Sequence, residues 1–307
     1  MKFYENIEAE RDRIEACITK YGHTSDHHLD WWSCSAITLD GMPVFVEFIN
    51  GSGLLAHRYP NEWRIWSDPL SRNADMADRI VEFALEIIQN NKINEIWCDD
   101  VSDNIYPGLK KDSTLKLNEI YYSLQWPILD MKKYYLSLPG GHFKEMRNAR
   151  NKFYREHGVK ILEARSLDQN DLYRIVDAWK KELIKKQNEN DIAYLKYRLA
   201  IKNNFRGFVT SRVMVVDGKP VGFNAGYEVV NNPGRFAGII GLHDYSLKDL
   251  GTILWLEDLD WIKNSGYKEL DMQGSEDDGG LKLKLQFGAK IERKTDTFSI
   301  KNSTVFR

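Results

Sequence analysis

The sequence predicts an α/β protein in which one mixed unit occurs twice, and three observations lead there. Helix-like and strand-like stretches alternate along all 307 residues, a length that suits about two domains. Two Asp-Gly pairs, at Asp40 and Gly41 and at Asp217 and Gly218, each lie between β-rich runs. After each pair comes the same order: a third strand, a polar turn, a strong helix, a strand and an acidic loop. Residues 66–103 and 242–276 can be laid over each other in this pattern with a gap of a few residues, the mark of an internal structural repeat.

Residues 5–21 are charged, with Ile7, Ile14, Ala16, Cys17 and Ile18 among them, and read as an amphipathic helix stopped by Gly22. Residues 23–32 are polar and aromatic. The runs 35–39 and 44–49 around Asp40 and Gly41 read as a hairpin, 50–60 as a loop and 62–67 as a short strand. Met76, Ile80, Val81, Phe83, Ala84, Ile87 and Ile88 make residues 74–88 the clearest helix of this half. A buried-type strand follows at 93–98, then an extended stretch at 121–135 that Trp126 and Pro127 interrupt.

Gly140 and Gly141 break the chain, which divides the protein into residues 1–138 and 139–307. Residues 142–157 form a basic helix that ends at Gly158. A strand at 159–164, helices at 168–185 and 193–203, and a hairpin of 207–216 with 220–230 follow, with Ser166 as the polar start of the first helix. Next come a strand at 236–242, a polar turn at 243–251 and a helix at 252–265 closed by Gly266. A strand at 267–272, an acidic turn at 273–280, a short basic helix and a closing strand at 290–300 complete the chain.

The formal charge of −2 provides no whole-molecule field for nucleic acid or membrane, so such a partner would need a local patch. Cys17, Cys34 and Cys98 are odd in number and widely spaced, which fits a reducing compartment and not a disulfide scaffold. The first 13 residues are charged, and no run approaches the ~20 apolar residues of a membrane span. The expectation is a cytoplasmic protein without stable membrane insertion. His23, His27, His28 and Cys34 lack a second cluster that would complete a four-ligand set, so they read as a polar, aromatic loop and no metal is expected.

Three stretches of the second half carry a family resemblance. The first is the basic helix containing Met146-Arg-Asn-Ala-Arg-Asn-Lys-Phe153, ahead of a Gly-Val strand. The second is Ser246-Leu-Lys-Asp-Leu-Gly251, opening a helix that ends in Ser265-Gly-Tyr267. The third is Gly280-Leu-Lys-Leu-Lys-Leu-Gln-Phe-Gly-Ala289. With the element order of residues 159–300 they resemble the GNAT acyltransferase fold. The tandem arrangement resembles the Fem-type aminoacyltransferases, which make peptidoglycan cross-bridges, and the catalytic part of phosphatidylglycerol lysyltransferases. The resemblance implies two GNAT-like domains in tandem and acyl or aminoacyl transfer to an amine or hydroxyl acceptor. The co-substrate would be aminoacyl-tRNA or acyl-CoA, with no tightly bound cofactor. The acceptor would be a small molecule, a peptide or a lipid head group. Acetyl-CoA users carry a two-glycine loop at the strand-to-helix turn. Here Gly251 is followed by Ile253 and preceded by Asp249, which tilts the donor toward aminoacyl-tRNA. The first half has no glycine in the matching region, 70–76, and reads as a degenerate support domain.

Candidate residues follow from chemistry. The backbone of Leu250, Gly251 and Thr252 opens a helix and can hold a phosphate or an acyl carbonyl. Lys144, Arg147 and Arg150 on the basic helix offer a phosphate site. Asp271 and Gln273, at a strand end, can orient or deprotonate an acceptor. The resemblance makes Lys284 the oxyanion-stabilising lysine and Tyr245 a proton donor to the leaving group. Asn224 and Glu228 share one face of a hairpin strand that looks into a cleft or into solvent. No Ser/His/Asp or Cys/His set is apparent, so the acceptor attacks the donor directly. A non-catalytic module of the same fold, binding a nucleotide or a peptide, is the alternative.

Overall fold

A computed structural model describes the chain except residues 23–26, 36–40, 92, 94, 187–192, 277–278 and 303–307. The chain divides into two compact units, one of Met1–Pro127, Gly274–Lys282 and Ile291–Arg307, the other of Ile128–Gln273 and Leu283–Lys290. The polypeptide first passes from one to the other between Pro127 and Ile128, whereas the sequence reading puts the joint near Gly140.

In the first unit β1 (Lys2–Tyr4), β2 (Met42–Glu47), β3 (Gly53–Arg58) and β4 (Trp63–Trp66) pair antiparallel in that order. β5 (Glu95–Ser102) then pairs parallel to β4, as the helix α3 (Met76–Asn91) between them allows. α3 lays Ile80, Phe83, Ala84 and Ile87 on one sheet face, against Val44, Leu54, Ala56, Ile65 and Cys98. The other face packs Phe45 and Leu55 under α1 (Arg11–Tyr21) and α2 (Leu29–Ser35). Two short elements, α4 (Ile105–Leu109) and β6 (Leu115–Leu117), precede β7 (Tyr122–Asp130), which continues through Trp126 and Pro127 without a break.

The first hairpin differs from the sequence reading. β2 turns into β3 through Asn50 and Gly51, with φ +77° at Gly51 and the Ser52 amide on Asn50 Oδ1 at 3.0 Å. The residues read as a loop therefore contain β3. Its Leu54 and Leu55 are both fully buried, so the alternation that marks a half-exposed strand is missing. Residues 36–39 and Asp40 of the expected hairpin lie outside the described residues.

The second unit repeats the plan. α5 (Lys144–Glu156) leads into β8 (Val159–Glu163), then α6 (Gln169–Ile184) and α7 (Leu195–Lys202). β9 (Thr210–Val216), β10 (Lys219–Glu228) and β11 (Arg235–His243) continue the antiparallel series from β8. The turn between β9 and β10 has positive φ at both Asp217 and Gly218, which matches the twist of the strands. α8 (Leu250–Asn264) then carries the chain to β12 (Glu269–Asp271), parallel to β11, and α9 (Gly279–Gln286) to β13 (Lys290–Asn302). The strand closing each sheet comes from the other half of the chain: β13 pairs with β5, and the end of β7 pairs with β12.

α8 is pinned to its sheet by a buried charge network. Arg212 on β9 donates to Asp258 at 2.5 Å and to Glu257 at 3.3 Å, and its guanidinium lies 4.1 Å from the Trp261 ring. Beside it, Asn224 donates to the Leu254 carbonyl at 2.9 Å, so its amide faces the helix and is buried. Glu228 is exposed and accepts from the Gly234 amide at 2.6 Å. Burial pushes the Asp258 carboxyl up to about 6 against the opposing pull of Arg212.

Replacing Asp258 by Ala leaves Arg212 as a buried charge with one of its two carboxylate partners gone. The unfolding free energy at pH 7.5 should fall by about 3–5 kcal/mol. Asp177→Ala, at the exposed Asp177–Arg198 pair, should cost under ~1 kcal/mol. Denaturant titrations followed by tryptophan fluorescence compare the two.

Candidate active site

The second unit opens where its two parallel strands part. β11 and β12 are in register only over Arg235–Glu269, Phe236–Leu270 and Ala237–Asp271. Six residues of β11, Gly238 to His243, continue beyond the fork paired with β10 alone among the described strands. At ~3.3 Å per residue about 20 Å of β11 runs on without β12 beside it. In the first unit the equivalent pair is closed. All of β4 is in register with β5, the Ser67 amide donates to the Asp99 carbonyl at 2.9 Å, and the Asp68 carboxylate takes the amide and hydroxyl of Ser102 at 2.7 and 2.6 Å.

At the fork, Asp271 is buried and accepts from the backbone amide of Gln273 at 2.8 Å. Gln273 has φ +63°, which turns the chain out of β12, and its carbonyl receives Lys284 Nζ at 3.0 Å. Lys284, on the last turn of α9, is half-buried. Three of the residues singled out from sequence thus meet in one cluster.

At the far end of β11 lies a second cluster. The turn from His243 to Asp249 is held by the Asp244 side chain, which accepts the Ser246 amide at 3.0 Å and pairs with Arg174 of α6 at 3.3 Å. Tyr245 and Asp249 both have positive φ, and Asp249 begins α8 with an exposed carboxylate and no cap hydrogen bond. The first intrahelical bond runs from Ile253 to the Asp249 carbonyl, so the Gly251 and Thr252 N–H groups have no intrahelical acceptor. Leu250 and Ile253 are buried with Phe153 of α5, so Ile253 is a core residue and Leu250 offers only its backbone.

Sequence reasoning quoted His243 as part of the turn and gave it no role. Its imidazole packs against Gly251: a Cβ there would stand 2.5 Å from His243 Nε2. Glycine is therefore set at this position by the imidazole as well as by any ligand. The Tyr245 amide donates to His243 Nδ1 at 3.3 Å, which leaves the proton of the neutral ring on Nε2, toward the helix start. Burial lowers the His243 pKa against the pull of Asp244. The Tyr245 ring, 4.1 Å from the imidazole, has its hydroxyl pKa raised by burial and then by the charge of Glu182. Tyr245 lies near the start of α8, about 20 Å of strand from the fork.

The basic helix is placed differently from a free phosphate surface. Arg147 donates to the carbonyls of Leu138 and, at 2.7 Å, Gly140; Arg150 donates to the Leu136 carbonyl at 2.9 Å and pairs with Asp260 at 3.6 Å. Arg150 also borders a groove of about 630 Å³ between α5 and α8, with Tyr154, Glu257 and Trp261. Lys144 is exposed. Among the loop residues considered for metal, His27 is buried with Nε2 on the Asp68 carbonyl at 3.0 Å, and His23 lies outside the described residues. Among the described residues no three His, Cys, Asp or Glu side chains gather as a metal site, and no helix is long and apolar enough to cross a membrane.

A helix-crossed parallel pair occurs in each unit and parts early in the second, the plan of the tandem GNAT-like fold that the sequence resembles. Residues 128–235 match the family model described as phosphatidylglycerol lysyltransferase, C-terminal. That match spans the end of β7 to the start of β11 and stops short of both clusters. The chain is similar in fold to L-PGS from Bacillus licheniformis, at 15% identity, TM-score 0.64, and 95% and 91% of the two chains covered. It is similar to a tandem GNAT protein from the clavulanic acid biosynthesis pathway, at 11% identity, TM-score 0.59 and 98% of each chain. It is likewise similar to FemX, at 11% identity, TM-score 0.59 and 97% of each chain. No curated protein matches the sequence.

Because the lowered His243 pKa means that the folded state binds this proton less readily than the unfolded chain, His243 lowers stability as pH falls below the ordinary imidazole range and not above it. In an NMR titration His243 should titrate below about 6.5. Gly251→Ala, which displaces the ring toward water, should move the midpoint up; an unmoved midpoint would contradict the contact.

Proposed function

We propose that the second unit transfers an aminoacyl group from aminoacyl-tRNA to a hydroxyl or amine acceptor. The observation that carries this is the fork: a parallel pair in register over three residues, with Asp271, Gln273 and Lys284 at its vertex and about 20 Å of free edge leading to a helix start. The two clusters divide the work. Helix-start amides of Gly251 and Thr252 hold a donor phosphate, and the donor arm lies along Gly238 to His243. The ester carbonyl lies at the fork, where Lys284 Nζ faces the developing oxyanion. Asp271 orients the acceptor and takes its proton as the acceptor oxygen or nitrogen bonds to the carbonyl carbon. The bond from that carbon to the ribose oxygen breaks, and the ribose oxygen takes the proton that Asp271 accepted, which restores the carboxylate.

The family match favours aminoacyl-tRNA over acyl-CoA as donor, and the matched family's printed activity makes phosphatidylglycerol and lysine the first acceptor and aminoacyl group to try. Lys144, Arg147 and Arg150 then support the donor from α5, Arg147 and Arg150 by fixing residues 136–140. Tyr245 borders the phosphate end.

Radiolabelled lysyl-tRNA with phosphatidylglycerol vesicles, and with soluble hydroxyl and amine acceptors, tests the reading. Labelled product should appear with the native protein. Lys284→Met should lower kcat by about 10²–10³-fold, the loss expected when one oxyanion donor is removed, with KM for the tRNA nearly unchanged. Transfer from acetyl-CoA alone, or full activity of Lys284→Met, would contradict it.

A further inference from the structure

The helical hairpin of α6 and α7 carries a concentration of cations that the acyl-transfer cleft does not use. Lys180, Lys181, Lys185 and Lys186 lie on α6 or just past it, and Lys196, Arg198 and Lys202 lie on α7. The described part of the hairpin also carries Asp171, Asp177 and Glu182. Lys185 pairs with Glu182 and Arg198 with Asp177; Lys181 and Lys186 are exposed. Aromatic rings sit between the charges. Lys180 Nζ is 3.8 Å from the Tyr194 ring, the Arg198 guanidinium is 4.4 Å from Tyr173, and Trp179 meets Tyr197 edge-on at 5.4 Å. Beside them a groove of about 510 Å³ is lined by Asn170, Tyr173, Arg174, Asp177, Lys181 and Arg198.

This surface adjoins the cleft. Arg174, on the wall of the groove, pairs with Asp244, the residue between His243 and Tyr245. Glu182, among the lysines, is close enough to raise the Tyr245 hydroxyl pKa. The cations therefore lead to the helix start where a donor phosphate would be held.

We infer that the α6–α7 surface docks the sugar-phosphate backbone of an RNA whose 3′ end enters the cleft past His243 and Tyr245. The inference rests on aminoacyl-tRNA as donor. A cationic groove with interleaved rings suits a nucleic acid strand. A membrane surface would instead call for a protruding apolar face. Here the rings are capped by cations, and Ile184 is the exposed large aliphatic residue of α6.

The test is binding of fluorescently labelled, uncharged bulk tRNA across a salt series, with the full chain. The variant Lys181→Glu, Lys185→Glu, Lys186→Glu reverses three exposed charges, and Lys110→Glu, Lys111→Glu in the first unit is the control. The triple variant should bind at least about tenfold more weakly at physiological salt, and its salt slope should flatten by about 3. The control should match the native protein. Equal binding by triple variant and native protein, or no tRNA binding by the native protein, overturns the inference. So does a triple variant that loses binding to phosphatidylglycerol vesicles while keeping tRNA, which would mark a membrane surface. A native protein that binds tRNA through these lysines and transfers nothing upholds the surface and refutes the transfer reading. Undiminished transfer by the triple variant at subsaturating lysyl-tRNA does the reverse.

Discussion

The second unit depends on a pairing that stops early. β11 and β12 share three residues of register, and the two clusters of the site lie at the ends of the edge that this leaves. A strand edge with unsatisfied backbone groups is normally a liability, filled by another strand or by water. Keeping one open inside a unit requires that the flanking elements be held by other means. β10 holds β11 from the far side, β7 holds β12, and α8 bridges the sheet above the fork. Arg212, Glu257 and Asp258 anchor α8 where hydrophobic packing alone would let it slide. The same plan in the first unit lacks the opening, because Ser67, Asp68 and Ser102 stitch the equivalent strands together.

The division into a fork cluster and a helix-start cluster gives each residue a chemical place. A lysine and a buried carboxylate tied to one backbone turn are preorganised, since Gln273 ties both of them to the end of β12. The helix start at the other end is walled by His243 and by the core residues Leu250 and Ile253, which leaves backbone amides and little else to meet a ligand.

Much of this was legible in the sequence, for identifiable reasons. The Asp217 and Gly218 turn was readable because two positive-φ positions demand such residues. α3 was readable from its apolar spacing. Asp271, Gln273 and Lys284 were within reach because a strand end and the following short helix are close in sequence. β3 was missed because burial on both faces erases alternation, although Asn50 and Gly51 announced its hairpin. The exchange of closing strands was invisible, since β13 pairs with β5, 200 residues away in sequence by the Phe298–Cys98 register. Arg147 and Arg150 look in sequence like any basic helix face; only coordinates show their guanidiniums spent on carbonyls. The lysines of α6 were overlooked for the converse reason: a solvated face and a docking face have the same composition.

The central claim is that the edge of β11 beyond the fork receives the donor. Hydrogen–deuterium exchange with a non-hydrolysable 3′-aminoacyl-tRNA analogue, its ester replaced by an amide, measures this at the backbone. Those amides of residues 238–243 that do not bond to β10, with the amides of Gly251 and Thr252, should exchange readily in the free protein and become protected on binding, while residues 63–67 of the first unit stay unchanged. Binding that leaves residues 238–243 unprotected would contradict the account.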